Sequence, residues 1–470
     1  MGREKELARN TAILTLGKIC TQSISFLLLP LYTALLDTAE YGSFDLLVTY
    51  GTLLLPLVNW QFDQGIFRFM LDRRDAFKME CELFSTVFLA NCAQSVIYAV
   101  VLVCLKAFFH LNYGYFLILY VVLHVFTALL LQFARGLGKS KVYAVASFIS
   151  ASATVVFNVI TLVCFGMGLL GLFVSTLTAQ FFTALYLCLA IKPWDFFELK
   201  AANIGLFKSV CRYSLPLIPN NLAWWVVNVS DRTVISYVLS VSVNGIYTVA
   251  NKFSNVFISF YNIFNLSWTE SVSLHFQDED RDVFLSEMIT TMYGLFACAC
   301  LGIVACMPFV FPIMINNRYW EAYPQVLILM YAMLLRVVVG LYSCVYIALK
   351  ESKKVAYTST AAAIINIIVH LLLIHKIGLY AASISTLVAF GSMAIIRYFD
   401  VNKTVNMRIS PAVLVSTLAL AVVLAITYYM NILAINVVML VIVAGYSVYI
   451  NRGFIHSAKK IVQDRLSRSH

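Results

Sequence analysis

The sequence predicts an all-α polytopic membrane protein with about fourteen transmembrane helices. Three observations carry this fold class. Apolar runs of roughly 20 residues, the length a helix needs to cross a bilayer, recur along the whole chain. Apolar residues make up 61% and charged residues 12% of the chain, with a mean hydropathy of +0.86; a soluble chain carries about 25% charged residues. Lysine and arginine gather at alternate ends of the runs, as happens when every second connection is cytoplasmic. A transmembrane β-barrel is excluded, because it would show short alternating segments instead of continuous apolar runs.

The elements follow in order. Met1 to Asn10 is charged and passes directly into a first span near 10–36, too long for the apolar region of a signal peptide. Asp37 and Glu40 separate it from a second span near 42–69; they read as a solvated turn before Tyr41-Gly42, not as catalytic acids. Spans near 81–109, 114–135, 141–167 and 169–192 complete a first set of six. Beyond the connection 193–212 come spans near 213–239 and 245–270, and beyond 271–285 come spans near 286–315, 322–349, 355–376 and 378–400. Two last spans near 411–430 and 432–451 precede a basic tail. These two connections are the longest and are too short for a folded domain.

The basic residues set the orientation. One set of ends carries Arg3, Lys5 and Arg9, then Arg68, Arg73, Arg74 and Lys78, then Arg135, Lys139 and Lys141, and the pattern continues to Lys459 and Lys460 in the tail. The opposite ends carry Lys106, Arg318 and Lys376. The asymmetry places both termini in the cytoplasm and agrees with an even number of spans. The acidic cluster Asp278, Glu279, Asp280 and Asp282 lies in an inner connection, where acidic residues weigh little.

Several function classes drop out. The net charge of +10 suggests nucleic acid as a partner, but the basic residues sit at span ends and form no patch. The 11 cysteines lie mostly within apolar runs, without zinc spacing, as in Cys298-Ala-Cys300. Gly136-Leu137-Gly138-Lys139-Ser140 resembles the end of a phosphate-binding loop, but its first glycine would fall at Phe133 and no strand precedes it. No cofactor is expected, and the energy source is expected to be a proton or sodium gradient, the membrane potential or the substrate's own gradient.

The chain also repeats itself. Gly138-Lys139-Ser140-Lys141-Val142 precedes a span with Asn158, then Gly168-Leu169-Leu170-Gly171 and Ser175-Thr176-Leu177. Glu351-Ser352-Lys353-Lys354-Val355 precedes a span with Asn366, then Gly378-Leu379-Tyr380-Ala381 and Ser385-Thr386-Leu387, an offset of about 210 residues. Spans 5–6 thus pair with spans 11–12 in the same orientation, as in parallel repeats. This gives a six-helix lobe over 1–200, a second over 201–408, and two extra helices with a basic tail over 409–470.

Polar stripes then mark a candidate site. Thr11, Thr15, Lys18, Gln22 and Ser25 share one face of span 1, and Thr52, Pro56, Asn59 and Asp63 one face of span 2. Span 7 carries Asn221, Trp224, Asn228 and Asp231 with Arg232 beside them, and span 8 carries Thr248, Lys252, Asn255, Ser259 and Asn262. Interhelical hydrogen bonding would account for one such stripe. Four at equivalent repeat positions, holding Lys18, Arg232 and Lys252, imply a hydrated cavity between the lobes. Arg336 interrupts span 10, and Arg68 closes span 2 at the inner mouth, where it either joins the site or reaches the headgroups. Cations at membrane depth point to an anionic substrate. Asp231 either pairs with Arg232 or Lys252 or holds a coupling cation, a role open to Asp63 as well. His124 and His370 read as packing or hydrogen-bonding residues.

At this point the chain resembles the polysaccharide flippases of the multidrug/oligosaccharidyl-lipid/polysaccharide exporter superfamily, the Wzx-like branch. The resemblance rests on Asn10-Thr11 through Leu29-Pro30-Leu31-Tyr32 to Glu40-Tyr41-Gly42, on Gly65-Ile66-Phe67-Arg68-Phe69, and on Ser230-Asp231-Arg232 followed by Gly245-Ile246-Tyr247. It implies two lobes in a V, alternating access, and a bacterial inner-membrane location. It implies an undecaprenyl-diphosphate-linked oligosaccharide as substrate, flipped outward for O-antigen, capsule or exopolysaccharide synthesis. A polysaccharide polymerase and a chain-length regulator are the protein partners it suggests. The cations suit a diphosphate, and Asn221, Trp224, Trp225 and Asn228 suit sugars. A drug-efflux antiporter of the same fold would need acidic cavity residues, here Asp231 and Asp63. A membrane glycosyltransferase or polymerase would need a large outer loop, which this chain lacks.

Overall fold

The computed structural model describes residues 26–74, 76–109, 112–349 and 351–453. Among these the regular structure is helical and contains no strand. The chain forms two compact units, Met1–Ser236 and Tyr237–His470. Eleven helices among the described residues are long and apolar enough to cross a membrane.

In the first unit, α1 (Leu29–Leu35) begins with Pro30 in its first turn, where a missing N–H is harmless. Next, α2 (Thr38–Val58) opens with a capping box: Asp37 accepts from the Glu40 N–H at 2.7 Å, and Glu40 accepts from the Asp37 N–H at 3.2 Å. The expected span 42–69 is not one helix. It breaks after α2, and α3 (Phe62–Leu71) starts afresh. Pro56 weakens the last turn of α2. Trp60 and Gln61 then take left-handed φ values of 51° and 58°, each costing about 1–2 kcal/mol. Asn59 steadies the turn by accepting from the Gln61 N–H at 2.8 Å.

Four long helices follow: α4 (Phe77–Phe109), α5 (Gly114–Gly136), α6 (Ser140–Asn158, continued by a π-helical turn Val159–Cys164) and α7 (Gly168–Ile191). The core packs Phe62, Ile66 and Met70 of α3 against Phe84 of α4 and Phe133 of α5, the last two rings 4.6 Å apart. The connection after α7 contains a helix, α8 (Ile204–Ser214). Asn203 caps it, Leu206 and Val210 are buried, and Lys208 and Arg212 are exposed. The connection itself is pinned to α4: Ser85 donates to the Phe196 carbonyl, and Asn203 donates to Glu82 at 2.6 Å. Then α9 (Leu217–Val238) closes the unit. The unit boundary falls in its last turn, whereas the sequence repeat divides the lobes at 200/201.

The second unit holds α10 (Val241–Leu274), α11 (Arg281–Met314), α12 (Tyr323–Ala348), α13 (Ser352–Ile377), α14 (Tyr380–Val401), α15 (Pro411–Met430) and α16 (Leu433–Ile450). Its centre is α12, buried along most of its length. Against it, α10 packs closely enough that a Cβ at Gly340 would strike the Tyr261 hydroxyl. Trp268 of α10 donates to the Leu341 carbonyl at 3.3 Å. Arg397 of α14, 2% exposed, pins three helices: it donates to Thr358 and Ser359 of α13 and to Ser343 and the Val339 carbonyl of α12. The last two helices dock through tyrosines, with Tyr428 stacked on Tyr323 at 4.3 Å and donating to its carbonyl.

The sequence repeat has a structural counterpart inside each unit. Ser175 of α7 donates to Asn158 of α6 at 3.0 Å. Asn366 of α13 donates to Ser385 of α14 at 3.5 Å and to Thr386 at 3.4 Å. All five residues are buried.

Candidate functional site

Three side chains of α9 reach α2 and the turn that follows it. Asn221 donates to Gln61 at 2.9 Å, Trp225 donates to the Thr49 carbonyl at 3.2 Å, and Arg232 forms a salt bridge with Asp45 at 2.9 Å. Arg232 also donates to Thr49 at 3.1 Å. The spacing of 221, 225 and 232 sets these three on one helical face. A carboxylate that holds Arg232 is therefore Asp45, and the chain neighbour Asp231 is 5% exposed. Of Trp224 and Asn228, the structure describes the backbone, within α9.

At the broken second span, Asp63 sits in the first turn of α3, where a helix favours negative charge. Its two oxygens accept from Asn59 at 3.1 Å and Gln64 at 2.8 Å. Arg68 pairs with Asp72 one turn on, at 2.8 Å, and both are about half exposed (48% and 62%). The glycine of the Gly65-Ile66-Phe67-Arg68 motif serves packing: a Cβ there would lie 2.9 Å from Val210 of α8. Phe67 of the same motif lies under the Arg135 guanidinium at 4.3 Å.

In the second unit, Lys252 is half-buried on α10. Thr248 above it is buried, Asn255 and Ser259 are half-buried, and Asn262 is exposed. The residues of α10 that pack inward are Ala250, Phe253, Phe257 and Tyr261, so this stripe runs along a different side of the helix. Arg336 of α12 is half-buried, its guanidinium 5.7 Å from the centre of the Phe390 ring. Lys18 and the rest of the span 1 stripe lie outside the described residues.

Other expectations resolve locally. The Gly136–Ser140 stretch is a helix terminus: Gly138 has φ of 77°, and Arg74 donates to the Gly136 carbonyl at 2.7 and 2.9 Å. Glu40 reaches beyond its own helix and accepts from the Leu169 N–H at the start of α7, at 3.2 Å. His124 meets Gln180 at 3.1 Å, and His370 is buried. Among the described residues, no three His, Cys, Asp or Glu side chains come together as a metal site.

Asp45 and Thr49 are the site residues that sequence reasoning missed. The signal was present. The span 2 stripe was started at Thr52, but its spacing continues backwards through Thr49 to Asp45.

The family model described as polysaccharide biosynthesis protein matches residues 7–268. No curated protein sequence matches the chain. Among solved structures, the lipid II flippase MurJ in an inward closed conformation is similar, with a TM-score of 0.68 at 13% identity over 95% of this chain and 100% of that one. An inward-facing multidrug resistance MATE family transporter of the MOP superfamily gives a TM-score of 0.64 at 13% identity over 81% of this chain and 94% of that one. An outward-facing MATE structure gives 0.53 at 14% identity over 84% and 95%. At such identities the likeness concerns the fold. The family and these neighbours are transporters and flippases rather than enzymes. With more than half of its length matched, the chain belongs to the polysaccharide biosynthesis protein family of membrane transporters and flippases.

Proposed function

We propose that the protein flips a lipid-linked oligosaccharide, carried on undecaprenyl diphosphate, from the cytoplasmic to the outer leaflet of a bacterial inner membrane. The observation that carries this reading is Arg232, a guanidinium on α9, 18% exposed, with one nitrogen engaged among the described residues. A cation kept there by a polysaccharide biosynthesis protein suits a diphosphate. Lys252 and Arg336 supply further positive charge, and Lys18 and Arg68 extend it toward the inner side. Asn221, Trp224 and Asn228 contact the sugars. Both termini lie in the cytoplasm, transport draws on a proton or sodium gradient or the membrane potential, and a polymerase and chain-length regulator receive the product for O-antigen, capsule or exopolysaccharide assembly.

A drug-efflux reading would use carboxylates, and Asp45, Asp63 and Asp231 are available. Asp45 is neutralised by Arg232, and Asp63 accepts two neutral amides. That arrangement favours an anionic over a cationic substrate. The test is the leaflet distribution of lipid-linked oligosaccharide in cells lacking the protein. Accumulation on the inner leaflet, relieved by the wild-type chain and not by Arg232→Ala at equal abundance, is expected. Normal outward transfer without the protein would refute the reading.

A further inference from the structure

The Arg232–Asp45 pair is half made on both sides. Arg232 engages through Nη1 alone, at 2.9 Å to Asp45 Oδ1 and 3.1 Å to Thr49 Oγ1. Its Nε and Nη2 make no hydrogen bond with a described residue. Asp45 is 8% exposed, yet its Oδ2 has no hydrogen-bond partner among the described residues. A guanidinium carries five N–H donors in a planar fork that matches two acceptor oxygens at once. A two-point pair would use both carboxylate oxygens and two guanidinium nitrogens. Among the described residues this pair meets through one atom of each group, with two guanidinium nitrogens left for another acceptor.

We propose, resting on the flippase reading above, that Asp45 is a positioning residue: the resident counter-ion that holds Arg232 in the empty protein and yields it to a phosphate oxygen when substrate binds. An uncompensated guanidinium at membrane depth is costly, so the empty protein needs a counter-ion to complete its cycle. Asp45 supplies one, and its single-point grip lets the phosphate approach Nε and Nη2 before the salt bridge opens. On release the reverse exchange draws Arg232 away from the departing phosphate. Without the Asp45 charge, the substrate becomes the sole counter-ion, binds more tightly and leaves more slowly.

The test uses the full chain in liposomes with a fluorescent polyprenyl diphosphate as probe, reading half-saturating concentration and maximal transfer rate separately. Asp45→Asn keeps the shape and an acceptor oxygen while removing the charge. It is expected to lower half-saturation and maximal rate together, each on the order of tenfold, the scale of one charge-assisted bond. Asp45→Glu, which keeps the charge, should recover the rate. Arg232→Ala should raise half-saturation. A merely structural Asp45 predicts a lower rate with no gain in affinity, and that result overturns the proposal. Unchanged affinity and rate in Asp45→Asn also overturn it and leave the flippase reading standing. Wild-type protein that neither binds nor transfers the probe overturns both. Should Asp45→Asn accumulate poorly, transfer is normalised to inserted protein and Asp45→Ser serves as the second variant: tighter half-saturation with slower transfer supports the counter-ion role, and unchanged or weaker half-saturation refutes it.

Discussion

Replacing Arg397 by lysine should destabilise the protein more than replacing it by methionine. Arg397 is buried, and no carboxylate among the described residues bonds to it. Its donors instead reach neutral oxygens: Thr358 Oγ1 at 2.9 and 3.0 Å, Ser359 Oγ at 3.3 Å, the Val339 carbonyl at 3.2 Å, the Val355 carbonyl at 3.4 Å, and Ser343 Oγ. Bonds to a charged group contribute about 1.5–3 kcal/mol each, but desolvating the guanidinium cancels several kcal/mol of that sum. The hydroxyls also keep partners of their own, since Thr358 donates to the Lys354 carbonyl at 2.9 Å and Ser343 to the Val339 carbonyl at 2.6 Å. Arg397→Met therefore removes the donors and the buried charge together, for a net loss of about 1–3 kcal/mol. Arg397→Lys keeps the buried charge with three donors instead of five and no planar fork, and the penalty of an under-paired buried charge is about 3–5 kcal/mol. The assay is thermal unfolding of the detergent-purified protein, followed by the fraction that stays monodisperse. The expected order of midpoints is wild type, then Met, then Lys. A lysine variant that melts with the wild type would show that positive charge, not the arginine fork, holds the three helices.

Further outcomes follow from other parts of the molecule. A cysteine replacing Arg318 should react with a membrane-impermeant maleimide in intact cells, whereas one replacing Lys139 should not; the reverse pattern would invert the orientation. The purified protein should hydrolyse no nucleotide, because Gly136–Ser140 is a capped helix end; phosphate release above a no-protein control would contradict this. Gly340→Val should lower the melting midpoint by an overpacking loss of about 1–3 kcal/mol, because its side chain meets Tyr261, and a midpoint equal to wild type would show that α10 and α12 can separate.

Long apolar runs made most helices legible from sequence. The repeat was legible because the chain writes the same polar residues twice, and Asn158 and Asn366 each bond a serine of the next helix, the first accepting and the second donating. The break in span 2 was harder to read. Asn59 was visible as part of a stripe, but the left-handed turn at Trp60 and Gln61 depends on non-glycine residues in a conformation that sequence pattern does not favour. The helix α8 escaped because its eleven residues carry a short amphipathic pattern within a polar connection. Arg397 belongs by sequence to the basic residues at inner span ends, which usually face water; only packing against α12 and α13 reveals that it faces inward. In the candidate site, the cations of α9 and α10 were legible from depth. The partner of Arg232 was not, because Asp45 is 187 residues away in the chain.

The paired clasps Asn158–Ser175 and Asn366–Ser385 bear on how the chain enters the membrane while it is being made. An asparagine amide gains nothing from hydrocarbon and needs a partner there. In both units a hydroxyl on the next helix meets that amide, 17 residues later in one case and 19 in the other. At ordinary synthesis speeds the delay is about one to four seconds. During that interval the Asn158 amide oxygen, and later the Asn366 amino group, lacks its hydroxyl, while the Asn158 amino group is held by the Thr154 carbonyl of its own helix at 2.6 Å. Insertion of the two helices as a hairpin would bring donor and acceptor into the lipid together. The same delay would occur twice during synthesis, once in each half of the chain.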